Sequence, residues 1–236
     1  MRRVVRGFWG PREESPESLA RRWSATLDRF ARLLPEAGGA GADVEWTWRH
    51  ITASGPAATL RPDEASLLDA LRAARAADDW SAMTGTSLRL VADSAPGWAV
   101  EISGLAGGTP EFLLQSLVVL LTSPDDARLP DAELLTAVAA SWQPDFGDVS
   151  DRAVTAALKR EAGFRIGTPC AGWVTYLSPG RAARVPDGPA TQLADGGALL
   201  NLPAPGDTAA VVRVHLALKE TGALEPLPRP MNRPTL

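Results

Sequence analysis

A single cysteine and only two histidines stand in 236 residues, and both scarcities close off chemistry. Cys170 alone can form no internal disulfide and no cysteine metal cluster, which fits a reducing cytoplasm as the expected location. His50 and His215 have no partners at nucleophile or metal-ligand spacing, and HExxH, GxSxG and Walker sequences are missing. No run of about 18 apolar residues occurs, so no membrane-spanning helix and no membrane partner is expected. The opening Met1-Arg2-Arg3-Val4-Val5-Arg6 has no apolar core of the kind a secretion signal needs. Lysine is reduced to Lys159 and Lys219; the arginine and alanine bias reflects a GC-rich genome rather than a function.

Hydrophobic residues at 45% and charged residues at 22% are ordinary for a globular chain, and the length allows a proper core. The net charge of −4 is too small to define a partner, but its distribution is uneven. Between Leu121 and Asp151, Asp125, Asp126, Asp131, Glu133, Asp145, Asp148 and Asp151 face Arg128 alone. Such a stretch suits the attraction of a basic partner, and equally a solvated loop with helix caps. With a pI near 5.3, nucleic-acid binding is not expected.

The chain punctuates itself clearly. Val4 to Trp9 reads as a strand, and Ser15-Pro16-Glu17 opens a helix with Leu19, Trp23, Leu27, Phe30 and Leu34 on one stripe. Asp43 to His50 suggests a short strand, and Pro62-Asp63-Glu64 starts a second helix carrying Leu67, Leu68 and Leu71. Ser87 to Ala92 and Trp98 to Ser103 read as an antiparallel pair, followed by a central strand over Phe112 to Leu121. A helix over Pro130 to Trp142 is broken at Gln143-Pro144-Asp145-Phe146-Gly147. Asp148 with Asp151 resembles a capping arrangement for a helix carrying Val154, Ala157 and Leu158. Gly172 to Leu177 is a strand, and Thr191 to Leu193 pairs with Ala198 to Leu202 about Asp195-Gly196-Gly197. Asp207 caps a last helix with His215 on its apolar side, as a satisfied buried imidazole rather than a ligand. The expected fold is one α+β domain over residues 1–225, a mainly antiparallel sheet packed against several amphipathic helices. A loose Pro-rich tail follows at 226–236.

Eight tryptophans against one tyrosine are the strongest compositional oddity. Trp23 and Trp142 have helix-core spacing; Trp9, Trp98 and Trp173 adjoin glycines at strand ends, where a ring serves either core or interface. Cys170 reads as a small buried hydrophobe. A carboxylate-based metal hydrolase stays open as an alternative, although no spacing singles out its acids.

Phe8-Trp9-Gly10-Pro11-Arg12-Glu13-Glu14-Ser15-Pro16-Glu17, leading into the helix with Trp23, resembles the start of the immunity protein 52 family of bacterial polymorphic-toxin systems. Trp142-Gln143-Pro144-Asp145, Gly172-Trp173-Val174-Thr175-Tyr176-Leu177, Asp195-Gly196-Gly197 and Gly222-Ala223-Leu224 follow in the same order. The chain departs from the family in Ala/Gly/Pro-rich loops around 36–42 and 180–190. The resemblance implies a small cytoplasmic α+β protein that binds and neutralises a cognate toxin, often a restriction-endonuclease-like domain. It implies no catalytic residue, no cofactor and no metal, and leaves the oligomeric state unknown. The expected contacts are Trp9, Arg12 and Glu13 at the opening turn, and Asp125, Asp126, Asp131 and Asp145 as an acidic region facing a basic cleft. An adaptor or chaperone for a secreted effector is the other non-enzymatic alternative.

Overall fold

A computed structural model describes residues 1–34, 46–52, 56–92, 97–124, 127–185, 190–202 and 206–236. In chain order the elements are β1 (Arg2–Trp9), α1 (Pro16–Leu33), β2 (Trp48–His50), β3 (Ala58–Leu60), α2 (Glu64–Arg75), β4 (Thr86–Ala92), β5 (Ala99–Ala106), β6 (Gln115–Thr122), α3 (Asp131–Trp142), β7 (Phe146–Ser150), α4 (Arg152–Glu161), β8 (Val174–Leu177), α5 (Pro179–Ala182), β9 (Ala190–Gln192), β10 (Ala198–Asn201) and α6 (Thr208–Glu220). The strands form one sheet in the order β3-β2-β4-β5-β6-β1-β7-β8-β10-β9, antiparallel throughout. This is a single α+β domain.

Alternation along β1 decides which side of the sheet is core. Arg3, Val5, Gly7 and Trp9 are buried, while Val4, Arg6 and Phe8 on the other side are half-buried. The buried side lies under α1 and α3. Gly7 permits that closeness: a Cβ there would stand 2.9 Å from Val138 Cγ1 of α3. The second side is closed over β7 and β8 by the segment 164–173, whose Cys170 is buried 3.7 Å from Asp148. Asp148 itself is fully buried against Arg6, which donates from Nε at 3.0 Å and Nη2 at 2.7 Å.

The helix starts follow the sequence. Ser15, Asp63, Asp151 and Asp207 each accept a first-turn amide hydrogen bond, at 3.2, 2.8, 2.8 and 2.9 Å. Three expectations need correction. Asp148 caps nothing, because Phe146–Ser150 is a fully buried strand and Asp151 alone caps α4. The central strand starts at Gln115, leaving Phe112 and Leu113 exposed on the preceding loop. The tail is not loose: Leu227 and Met231 are buried, and Pro234 accepts a hydrogen bond from the Gly10 amide at 2.8 Å. No helix among the described residues is long and apolar enough to cross a membrane.

His215 is buried on the apolar side of α6, and its Nδ1 accepts from the Ala171 amide at 3.3 Å. Burial, and then the nearby Lys219 charge, push its pKa below the ordinary 6.5. A depressed histidine pKa means that folding favours the neutral ring. Its contribution to stability is whole above the ordinary pKa and erodes as the pH falls through the lowered one. Urea unfolding is therefore expected to show lower stability at pH 5.5 than at pH 7.5. An NMR titration placing His215 at or above the ordinary value would overturn this.

Candidate interaction surface

The end of β1 is where the sequence motifs gather, and its geometry is dense. Trp9 has no exposed surface; it stacks on Trp142 with ring centroids 5.4 Å apart. Trp142 meets Trp23 edge-on at 5.5 Å and donates from its indole N–H to Thr26 Oγ1 at 2.8 Å. Arg12 lies 5.2 Å over the Trp9 ring, donates to the Trp142 carbonyl at 2.7 Å and reaches Glu14 at 3.1 Å. Burial brings the Arg12 pKa down to about 10, against the raising influence of Glu14 and together with the repulsion of Arg22.

These arginines supplement the left-handed C-cap of α3, where the Gln143 amide donates to the Ala139 carbonyl at 2.8 Å. α3 carries no basic residue in its last turn and ends at Gln143 with φ 43°, in the left-handed region. Its orphan carbonyls are met from outside: Arg22 donates to Ser141 O at 2.6 Å, and Arg12 to Trp142 O. Glu14 holds Arg22 through Nε at 2.9 and 3.0 Å, so one carboxylate organises both cations.

A second lock joins three loops. Gln115 is fully buried and donates to the carbonyls of Gly10 at 2.9 Å and Gly108 at 3.0 Å, while its Oε1 accepts from the Gly108 amide at 3.2 Å. The Arg12 amide bonds Gly108 O at 3.0 Å, the Thr109 amide bonds Met83 O at 3.0 Å, and the Met231 amide bonds Glu111 O at 2.8 Å. Gly10 is required here, since a Cβ would stand 2.2 Å from the Arg233 carbonyl of the crossing tail. The loops at this end are thus fixed by backbone bonds rather than by their exposed side chains.

What those loops present is apolar. Six large hydrophobic residues are exposed among the described residues, and three of them, Met83, Phe112 and Leu113, sit here at 63%, 62% and 51%. Glu13, bridged to Gly107, is exposed beside them. An aromatic and two aliphatic side chains held out on a rigid frame suit recognition, because little ordering entropy is lost when a partner covers them.

The sequence-predicted contacts divide. Glu13 is at the surface and Arg12 is partly so, but Trp9 contributes from beneath. Asp131 is 7% exposed, accepts from Trp173 Nε1 at 2.9 Å and lies 3.6 Å from Arg3; burial pushes its pKa up despite that arginine. Asp145 is fully buried against Arg181 at 2.6 Å. Asp125 and Asp126 lie outside the described residues. The acidic stretch is therefore not one acidic surface, because Asp131, Asp145 and Asp148 spend their charge inside the fold. The pattern missed Gln115, Phe112, Leu113 and Met83; Phe112 and Leu113 fell inside the expected central strand over Phe112 to Leu121.

The Cys170 thiol is buried, its pKa raised well above the ordinary value first by burial and then by the Asp148 charge. Among the described residues, no group of three or more His, Cys, Asp or Glu side chains is placed to hold a metal ion. A family model described as Immunity protein 52 matches residues 4–227, nearly the whole chain. No curated protein matches it.

Proposed function

Because the chain belongs to the immunity protein 52 family, we propose that it binds a cognate toxin domain through the apolar end of the sheet and neutralises it inside the producing cell. The observation that carries the location is the exposure of Phe112, Leu113 and Met83 on loops tied together by the buried Gln115. Aromatic anchors in a rigid setting dominate protein–protein binding energy, and the surrounding polar rim, Glu13 among it, mainly excludes water. The toxin is of the nuclease type, restriction-endonuclease-like, and so offers a basic cleft. The acidic residues Asp125 and Asp126 speed association with that cleft, while Asp131 and Asp145 act by holding the fold.

The test is co-expression with the toxic domain encoded beside this gene, scored for survival and for a co-purifying complex. Rescue with a stable complex supports the reading. Rescue without a complex points to an enzyme that reverses the damage, and a complex without rescue points to an adaptor for the secreted effector. Phe112→Asp and Leu113→Asp should each weaken the complex by about 2 kcal/mol or more, some thirtyfold in Kd, with unfolding unchanged. Unaltered affinity in both variants would move the contact away from this end. Asp125→Asn with Asp126→Asn should slow association and flatten its salt dependence; Asp131→Asn is unsuited to that test because its carboxylate is buried.

A further inference from the structure

α4 and α6 finish beside one another and leave a cavity of about 320 Å³ that shares no lining residue with the proposed toxin contact. Phe164, Pro169 and Leu224 form its apolar walls, and Arg165, His215 and Lys219 are its nitrogen donors. No carboxylate lines it; Glu225, next to the lining residue Pro226, turns instead to Arg184 at 2.9 Å.

His215 makes this more than a crevice. The residue is 3% exposed, and its Nδ1 accepts the Ala171 amide hydrogen bond at 3.3 Å. A neutral ring bound in that way carries its proton on Nε2. That N–H has no acceptor among the described residues, and the ring is turned edge-on to Phe164 at 6.4 Å, 82°. Arg165 and Lys219 are likewise in no ion pair among the described residues. Three nitrogen donors thus line a space to which no carboxylate contributes.

We propose that this cavity binds a small amphipathic acid, a single aromatic or branched apolar body carrying one phosphate or carboxylate group. The size fits: small-molecule pockets begin at roughly 300 Å³. The helix ends decide between an amphipathic acid and a bare anion. α4 stops at Glu161 and α6 at Glu220, so the terminal carbonyls of both helices put partial negative charge near the opening. Those carbonyls favour Lys219 where it stands and oppose an inorganic ion, so the apolar body must supply part of the affinity against Phe164, Pro169 and Leu224. The site is separate from the proposed toxin contact and does not depend on it.

The test uses the full chain and phenyl phosphate, with inorganic phosphate and phenol as the two half-ligands, followed by calorimetry and by the imidazole NMR signals. Phenyl phosphate should saturate at millimolar concentration or below, move the His215 signals and leave those of His50 in place. Inorganic phosphate and phenol should each bind at least about tenfold more weakly. Arg165→Gln with Lys219→Gln should abolish phenyl phosphate binding while toxin protection stays as in the parent and thermal unfolding falls by no more than a few degrees. Absence of saturable binding, binding that leaves His215 unmoved, or equal affinity for inorganic phosphate would each overturn the proposal.

Discussion

Asp145→Ala is expected to destabilise the fold by about 3–5 kcal/mol, because it strands a buried guanidinium. Both side chains of the Asp145–Arg181 pair are fully buried, 2.6 Å apart. Asp145 also accepts from Ser178 Oγ at 3.2 Å and from the Leu236 amide at 2.8 Å. Arg181 spends a second nitrogen on the Ala223 carbonyl at 2.7 Å and lies 5.4 Å over Phe146, but its Nε has no partner. Removing the carboxylate leaves a cation that solvent cannot reach and that one carbonyl cannot satisfy. In a chain of this size the loss corresponds to a melting point lower by roughly 10 °C.

Two further measurements separate this cause from simple loss of packing. Asp145→Leu combined with Arg181→Met should recover most of the loss, since an apolar pair of similar volume replaces a buried ion pair at little cost. The tail should respond as well. Without its acceptor the Leu236 amide is released, and the neighbouring bond from Gly10 to Pro234 weakens with it. Amide exchange at Gly10 should then speed up in Asp145→Ala, far from the substitution in sequence. A stability change below about 1 kcal/mol, the level of an exposed pair, would contradict the account.

Local rules made the helices legible: a capping Ser or Asp, then apolar residues at three- to four-residue steps, placed α1, α2 and α6 close to their observed starts. The β4–β5 pair was legible for the same reason, since alternation and a Gly-containing turn are both local. β7 was not. Its Asp148 reads as a surface or capping acid until Arg6, 142 residues away, is seen to neutralise it. The acidic stretch misled in the same way. Its charge count is a property of the sequence, but Asp131 and Asp145 are answered by Arg3 and Arg181 from distant elements, so little of that charge reaches solvent. The opening motif was legible as important but not as to why. Its glycine, arginine and glutamate build a frame, and the groups that frame presents come from loops 81–85 and 107–114, which carry no distinctive pattern.

Trp9→Ala should likewise cost about 3–5 kcal/mol, and it should do so without touching the proposed toxin contact. The indole is fully buried, stacked on Trp142, and covered by Arg12. Truncation opens a cavity beneath the turn and removes a stacking contact worth about 0.5–1.5 kcal/mol beyond its area. The indole N–H, buried with no partner, already costs the fold part of what the ring contributes. Trp9→Phe should therefore be much milder than Trp9→Ala, because it keeps most of the ring contact and discards the unpaired donor. The functional consequence discriminates between two roles for this residue. If Trp9 supports the surface from below, the folded fraction of Trp9→Ala at low temperature should bind toxin with nearly parental affinity, and Trp9→Phe should protect cells fully. If instead Trp9 were itself the anchor, both substitutions would weaken binding in proportion to the ring area removed, and Phe112→Asp would not. Measuring affinity and urea midpoint on the same three variants decides between these outcomes, since the supporting role moves stability alone and the anchoring role moves affinity.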